Sequence, residues 1–444
     1  MTLPPWRKPL RLCAVLVLWR VAWFVLMPVI LAYLWHRGRR DPLYSRRIRE
    51  RFGFHPRADQ PPVWIHAVSI GELRSAVPLI RAFLDQGEHV VITNFTPAGL
   101  REAEQIFIPE IAQGTVQAGY VPFDYGLAFR RFFRAVRPKF GLVMEVEYWP
   151  GMITACRRAG IPLYLCNGQY PEKSFTRDKT RALSPGLLLP GFAGVMVKSE
   201  VHAARMRHFG QDRIALTGEM RFEQPIPEGQ LAAARILRPA IAADRPVITL
   251  SSVVEWEEDL FIDLLLETQK KGSNKPLFVF VPRAPERFDA VAQKLAQAGL
   301  RFARRSDVLD ETLTATHPPQ IDVLLGDSLG EMFFYLALCD LAVAGGGFNP
   351  RGSHNIIEPL MLGKPVIVGP EIWTIEYPAR EAIAAGVARQ VGPDGLFSAV
   401  TEPKFPDQAR IDAFLATHAG AVEKTLAALD TWGAPTRPKS HHPR

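Results

Sequence analysis

From about residue 63 onward the chain alternates short apolar runs of strand length with amphipathic stretches. Val63–Ser69 precedes a helical stretch opening near Glu72, and His89–Phe95 precedes another opening near Thr96-Pro97. Phe140–Val146, Pro162–Cys166 and Val195–Lys198 complete a first set of predicted strands. A polar stretch over Glu223–Arg245 interrupts the rhythm. It resumes in Val247–Leu250, Leu277–Val281, Val323–Leu325, Leu341–Ala344 and Pro365–Val368. Apolar strands separated by helices predict parallel sheets covered on both faces. The expected fold class is therefore α/β, with two doubly wound Rossmann-like domains at 58–230 and 231–430 facing a cleft. Ligands are expected at the C-terminal ends of the strands. The last helical stretch, about Pro406–Leu429, is placed to pack back on the first domain, and 431–444 reads as a polar tail.

The segment before this pattern is different. Leu12–Trp35 is apolar except for Arg20, and Val21–Trp35 carries no charge at all. It ends in His36-Arg37-Gly38-Arg39-Arg40, with Arg46, Arg47, Arg49 and Arg51 following, where a cleaved signal peptide would end in small residues. A buried core helix is the plainer alternative, but such helices are rarely apolar all round. Residues 1–57 are expected to form a basic membrane anchor, with the body on the cytoplasmic side of the inner membrane and the arginines on anionic lipid. Whether the helix spans the bilayer or lies in its interface is left open by a length this close to the 20-residue mark.

Composition sharpens that division. The 444 residues are 48% apolar and 22% charged, which excludes a disordered chain. The net charge of +8 is not spread over the fold: residues 1–57 hold 12 Lys/Arg against 2 Asp/Glu, and the rest holds 41 against 43. A nucleic-acid partner is not expected from a body so nearly neutral. Cys13, Cys156, Cys166 and Cys339 are scattered, so neither structural disulfides nor a zinc site is expected.

Candidate chemistry gathers at strand ends. Ser69-Ile70-Gly71-Glu72 stands where a strand turns into a helix, and Glu72 there is either a capping carboxylate or a proton acceptor in the cleft. Met144-Glu145-Val146-Glu147-Tyr148-Trp149-Pro150 places two carboxylates on one face at the end of a buried strand, as a structural node or part of a site. In the second half, Arg283 follows a strand and can bind phosphate or base. Gly326-Asp327-Ser328-Leu329-Gly330-Glu331 follows another strand. Gly345-Gly346-Gly347 leads to Ser353-His354-Asn355-Ile356-Ile357-Glu358, a glycine loop and helix start able to cradle phosphate, with Glu358 able to accept from ribose hydroxyls. Acid-rich Glu255-Trp256-Glu257-Glu258-Asp259 reads as helix-start acidity rather than a metal site.

In the order HAVSIGE (66–72), MEVEYWP (144–150), VPRAPERF (281–288), GDSLGEM (326–332) and GSHNIIEP (352–359), these motifs resemble the 3-deoxy-D-manno-octulosonic acid (Kdo) transferases of lipopolysaccharide synthesis. The resemblance implies a two-domain GT-B fold and an inverting, metal-independent glycosyltransferase without a cofactor. It implies CMP-Kdo as donor, bound by the second domain, and a hydroxyl of a lipid A precursor as acceptor, bound by the first. Carried over by motif, Glu72 is the general base, and Glu145 with Arg221 of Thr217-Gly218-Glu219-Met220-Arg221-Phe222 stabilises the transition state. CMP binding falls on Pro282, Arg283, Leu329, Gly330, Glu331, Asn355, Ile356, Ile357 and Glu358.

The pattern is not complete. The family usually has Lys at Arg221 and an Asn-Ala-Arg motif where this chain reads Asn167-Gly168-Gln169. Val253-Val254 replaces a Thr-His pair, Ala284 and Glu371 each replace a His, and Gly347 and Ser353 replace Ser and Gly. These departures describe a divergent member or paralogue. A sugar-nucleotide epimerase on the same scaffold, or a binding paralogue without turnover, are the alternatives. The anchor with HAVSIGE weighs against the first, and the retained Glu72 and Glu145 weigh against the second.

Overall fold

The computed structural model describes residues 6, 9–271, 275–315, 319–402 and 406–435. It contains two compact units, Met1–Gln224 with Gly420–Arg444, and Pro225–Ala419. The division falls at 224/225 and not at 230/231, because the helix Glu228–Ala242 belongs to the second unit. The helix Ala421–Thr431 returns to the first, where the Trp432 ring stacks on Tyr164 with centroids 5.6 Å apart. Most of the expected polar tail, 436–444, lies outside the described residues.

In the first unit the strands are β1 (Val63–His66), β2 (Val90–Asn94), β3 (Val116–Tyr120), β4 (Phe140–Met144), β5 (Leu163–Gly168), β6 (Gly194–Val197) and β7 (Ile214–Leu216). They form one parallel sheet in the order β3-β2-β1-β4-β5-β6-β7. Strand order reverses between β1 and β4, so the loops leaving those two strands open the crevice where doubly wound sheets bind ligands. Apolar side chains fill both faces, with Leu73, Ile80 and Phe83 on one side and Trp64, Phe129 and Phe132 on the other. Gly141 in β4 lets the indole of Trp64 pass, since a Cβ there would meet it at 2.7 Å.

The second unit repeats the plan with β8 (Val247–Val253), β9 (Leu277–Pro282), β10 (Phe302–Arg304), β11 (Val323–Leu325), β12 (Leu341–Ala344), β13 (Val366–Val368) and β14 (Ala388–Gln390). Its parallel order is β10-β11-β9-β8-β12-β13-β14, with the reversal between β8 and β12.

The N-terminal helix α1 runs from Leu10 to Gly38 and is long and apolar enough to cross a membrane by length and composition. One stripe of its N-terminal half rests on the first unit. Leu12 and Leu16 are buried in its core, Trp19 Nε1 donates to Asp124 Oδ2 at 2.7 Å, and the Trp23 ring packs on Phe123 at 5.3 Å. The opposite side is open: Val17, Leu18, Val21, Phe24, Val25 and Val29 are all more than half exposed. The basic stretch after α1 is part of the fold, not an appendage. Glu50 and Arg51 are buried, Tyr120 N donates to Glu50 Oε2 at 2.9 Å, and the Arg51 guanidinium lies over the Tyr120 ring.

Candidate active site

HAVSIGE leaves β1 at the switch point. Ser69 caps the helix Ile70–Asp85 because its hydroxyl can accept from an otherwise unpaired N–H, here that of Glu72 at 3.4 Å. Glu72 answers from the third helical position: its Oε1 accepts from Ser69 Oγ at 3.3 Å and its Oε2 from Val68 N at 2.7 Å. This is a capping box displaced by one residue, since the backbone donor is Val68 and not the cap residue Ser69. The capping role is thus present, and it leaves the same carboxyl available for proton transfer in the reading proposed below. Burial pushes its pKa up to about 8, the negative charge of Glu145 and then Glu147 adding to the effect, against partial relief from Val68 N–H and Ser69.

β4 delivers the second group. Glu145 sits just past the strand with φ of 58°, a left-handed conformation in which non-glycine residues are strained. That turn breaks the alternation of the strand, so Glu145 and Glu147 do not share a face as their spacing predicts. Glu147 accepts from Trp149 Nε1 at 2.5 Å. Glu145 is buried in a charged cluster: its Oε1 accepts from Arg221 Nη2 at 2.9 Å and faces Lys198 Nζ at 3.4 Å, and its Oε2 accepts from Gln169 Nε2 at 3.2 Å. A Cβ on Gly71 would lie 3.8 Å from Arg221 Nη2, so the start of the Glu72 helix stands beside the same guanidinium. The three residues expected to act together, Glu72, Glu145 and Arg221, meet at one place.

Three members of this cluster stand in the sequence motifs but are not among the expected site residues. Lys198 directly follows β6, Glu219 lies in the loop after β7 just before Arg221, and Asn167 is the last but one residue of β5, with φ of 52°. Glu219 accepts from Lys198 Nζ at 2.7 Å and from Asn167 Nδ2 at 2.8 Å. Burial works to raise its pKa, but the charges of Lys198 and Arg221 overcome it and hold the carboxylate at about 2. The available signal was a single charge ending an apolar strand in Val195–Lys198, which is as often a solvated strand end.

In the second unit the expected nucleotide residues gather at the ends of β9, β11 and β12, in two different conditions. Arg283 is exposed, and burial together with the Arg283 charge lowers the pKa of His354 to about 4. Leu329 is 70% exposed beside Gly330, whose φ is 83°. Glu331 is committed: Arg305 donates to it from Nε and Nη2 at 2.8 and 2.6 Å, and Ser328 Oγ also donates. Asn355 Oδ1 accepts from Ile357 N at 2.9 Å, while Ile356 and Ile357 are core residues and Glu358 is half-buried. Pro282 is the last residue of β9.

The glycine loop corrects an expectation. Two of the amides that could hold phosphate are already taken: Glu257 Oε2 accepts from Gly346 N at 2.6 Å and Glu257 Oε1 from Phe348 N at 2.7 Å. The acid-rich stretch 255–259 is therefore more than helix-start acidity: Glu257 ties down the loop, Glu258 accepts from Nε and Nη2 of Arg287, and Glu255 accepts from its Nη1. Among the described residues, no group of three or more His, Cys, Asp or Glu gathers to hold a metal.

Residues 46–224 match the model of the family described as 3-deoxy-D-manno-octulosonic-acid transferase (kdotransferase). Over 423 residues, 92% of this chain and 97% of the relative, the sequence is 37% identical to the 3-deoxy-D-manno-octulosonic acid transferase of Bordetella pertussis. The chain belongs to the Kdo transferase family. Two solved structures add likeness of fold alone. A glycosyltransferase from Rickettsia africae has a TM-score of 0.55 at 11% identity, covering 85% of this chain and 100% of its own. The UDP-GlcNAc 2-epimerase of Neisseria meningitidis has 0.52 at 13%, covering 83% and 100%. In this Kdo transferase family member, HAVSIGE and MEVEYWP carry Glu72 and Glu145, and Gln169 and Arg221 both fall inside the charged cluster.

Proposed function

We propose that this glycosyltransferase moves Kdo from CMP-Kdo to a hydroxyl of a lipid A precursor, with inversion, in lipopolysaccharide synthesis. The observation that carries the reading is Glu72, a carboxyl with a pKa of about 8 at the switch point of a doubly wound sheet, beside Arg221 and Glu145. A general base works best with a pKa near the working pH, and burial plus like charge have tuned a weak base toward it. Glu72 takes the proton of the acceptor hydroxyl as that oxygen attacks the anomeric carbon. The bond to the phosphate oxygen breaks on the opposite side, and CMP leaves with the electron pair.

Glu145 offsets the positive charge of an oxocarbenium-like transition state, and the Arg221 guanidinium beside it offsets the negative charge of the donor sugar's carboxylate. Arg283, Leu329, Gly330 and the Asn355–Glu358 segment of the second unit bind the nucleotide, and no metal or organic cofactor takes part in this reading. The epimerase likeness is one of fold and carries no activity. In an assay of native enzyme with CMP-Kdo and a membrane-borne lipid A precursor, the expected product is the Kdo-bearing lipid. CMP binding without product sinks the reading and leaves a binding paralogue.

The membrane side of the reading places the enzyme on the cytoplasmic face of the inner membrane, with α1 lying in the interface. Residues 12–23 of α1 rest on protein along one stripe. That leaves Phe24–Gly38, about 22 Å of helix, against a hydrocarbon core of about 30 Å. The open apolar side faces acyl chains, and Arg37, Arg39 and Arg40 meet anionic headgroups. In sealed inside-out inner-membrane vesicles, Leu10→Cys in a Cys13→Ser background is expected to react with an impermeant maleimide from outside. Protection until the vesicles are opened would mean that α1 spans.

A further inference from the structure

The reaction as derived leaves one buried charge without a task. The Lys198 side chain is only 3% exposed, and a buried ammonium is costly unless it is paired and hydrogen-bonded. Its Nζ lies 2.7 Å from Glu219 Oε2, 3.4 Å from Glu145 Oε1 and 3.3 Å from Gln169 Oε1. Gln169 is turned so that its amide oxygen meets Lys198 while its amide nitrogen meets Glu145. A lysine serving only as a core ion pair would need Glu219 alone. This one is coupled to Glu145 both directly and through Gln169.

The charges close only as a set. Glu145 and Glu219 are balanced by Lys198 and Arg221, and Arg221 N also donates to Glu219 Oε1 at 3.2 Å. Removing Lys198 leaves two carboxylates facing one guanidinium, and the excess negative charge bears on Glu72, which already faces Glu145 and Glu147. Gln169 meets the Glu145 carboxylate with an uncharged amide. The geometry supplies a cation for that same carboxylate from the neighbouring strand.

We propose that Lys198 is a positioning residue for transfer: from the end of β6 it holds the Glu145 carboxylate beside Arg221, supplying the charge that the Gln169 amide lacks. For its effects on rate, the assignment rests on the Kdo-transfer reading; for its electrostatics, it does not. Lys198→Gln is expected to lower kcat by about 100-fold with little change in KM for CMP-Kdo. It is also expected to move the rise of rate with pH upward by about one unit, because Glu72 then sees one cation fewer. Adding Gln169→Arg to Lys198→Gln is expected to return that rise to its native position and to recover most of the rate, which separates lost charge from lost packing.

A second arm needs no turnover. Glu145→Gln is expected to lower Tm in the native background and to raise it in Lys198→Gln, where it removes the uncompensated charge. Equal Tm changes in the two backgrounds overturn the assignment. So does a Lys198→Gln enzyme with native kcat and a native pH profile. If native enzyme gives no product with CMP-Kdo, the functional reading falls, and the melting arm alone still decides whether Lys198 and Glu145 are coupled.

Discussion

Glu72→Gln is expected to lower kcat by about 10²–10⁴-fold, the range supplied by a positioned general base. The amide keeps the size of the side chain and can still accept from Val68 N, so the cap at the start of the helix is largely retained. What it cannot do is take a proton. In native enzyme the rate is expected to rise with pH and level off above about 8, because below its elevated pKa Glu72 is protonated and cannot act as base. The residual rate of Glu72→Gln should lack that rise. Stability provides an independent check with a definite sign. The folded state holds the Glu72 proton from its ordinary value of 4.5 up to about 8, so it binds more protons than the unfolded chain across that window. Stability therefore falls as pH increases through it. Melting temperatures measured between pH 5 and pH 8 should fall less steeply in Glu72→Gln than in native enzyme. A variant with native turnover, or an unchanged melting slope, would remove Glu72 from the mechanism.

The legibility of this chain has a geometric explanation. The ten strands predicted from apolar runs are the interior strands of the two sheets. The four that went unseen, β3, β7, β10 and β14, are the four sheet edges. An interior strand of a parallel sheet is covered on both faces and reads as continuous Val, Ile and Leu. An edge strand is short and part-exposed, as in Phe302–Arg304 and Ala388–Gln390, and its composition carries little signal. Chemistry divides in a similar way. Glu72, Glu145 and Arg283 were visible because each interrupts an apolar pattern beside a strand end. Lys198, Glu219 and Asn167 come from three separate strand ends, and only closure of the sheet makes them one cluster. The glycine loop misled for the complementary reason. Its amides suit an anion, but the anion they hold is Glu257 of the protein itself, about 90 residues away in sequence.

Glu145→Ala is expected to destabilise the first unit by about 3–5 kcal/mol, because it strands Lys198 and Arg221 in a site built for two carboxylates. Glu145→Gly removes the same carboxylate but also relieves the left-handed backbone at φ of 58°, which costs a non-glycine residue about 1–2 kcal/mol. The glycine variant should therefore unfold at higher denaturant than the alanine variant, although glycine is normally the more destabilising choice. Both should lose most transfer activity, since neither returns the carboxylate. Equal midpoints for the two variants would mean that the backbone at this position is unstrained. The expected order matters for mechanism as well as stability. A glutamate held in a conformation that glycine would adopt more readily is kept there by its side-chain partners, and the left-handed turn is what directs its carboxylate away from the strand's own alternation and toward Arg221. Strain at Glu145 and the buried charges of Lys198 and Arg221 are thus two parts of one arrangement, and in the proposed reaction it is this carboxylate that would meet the positive charge developing on the sugar.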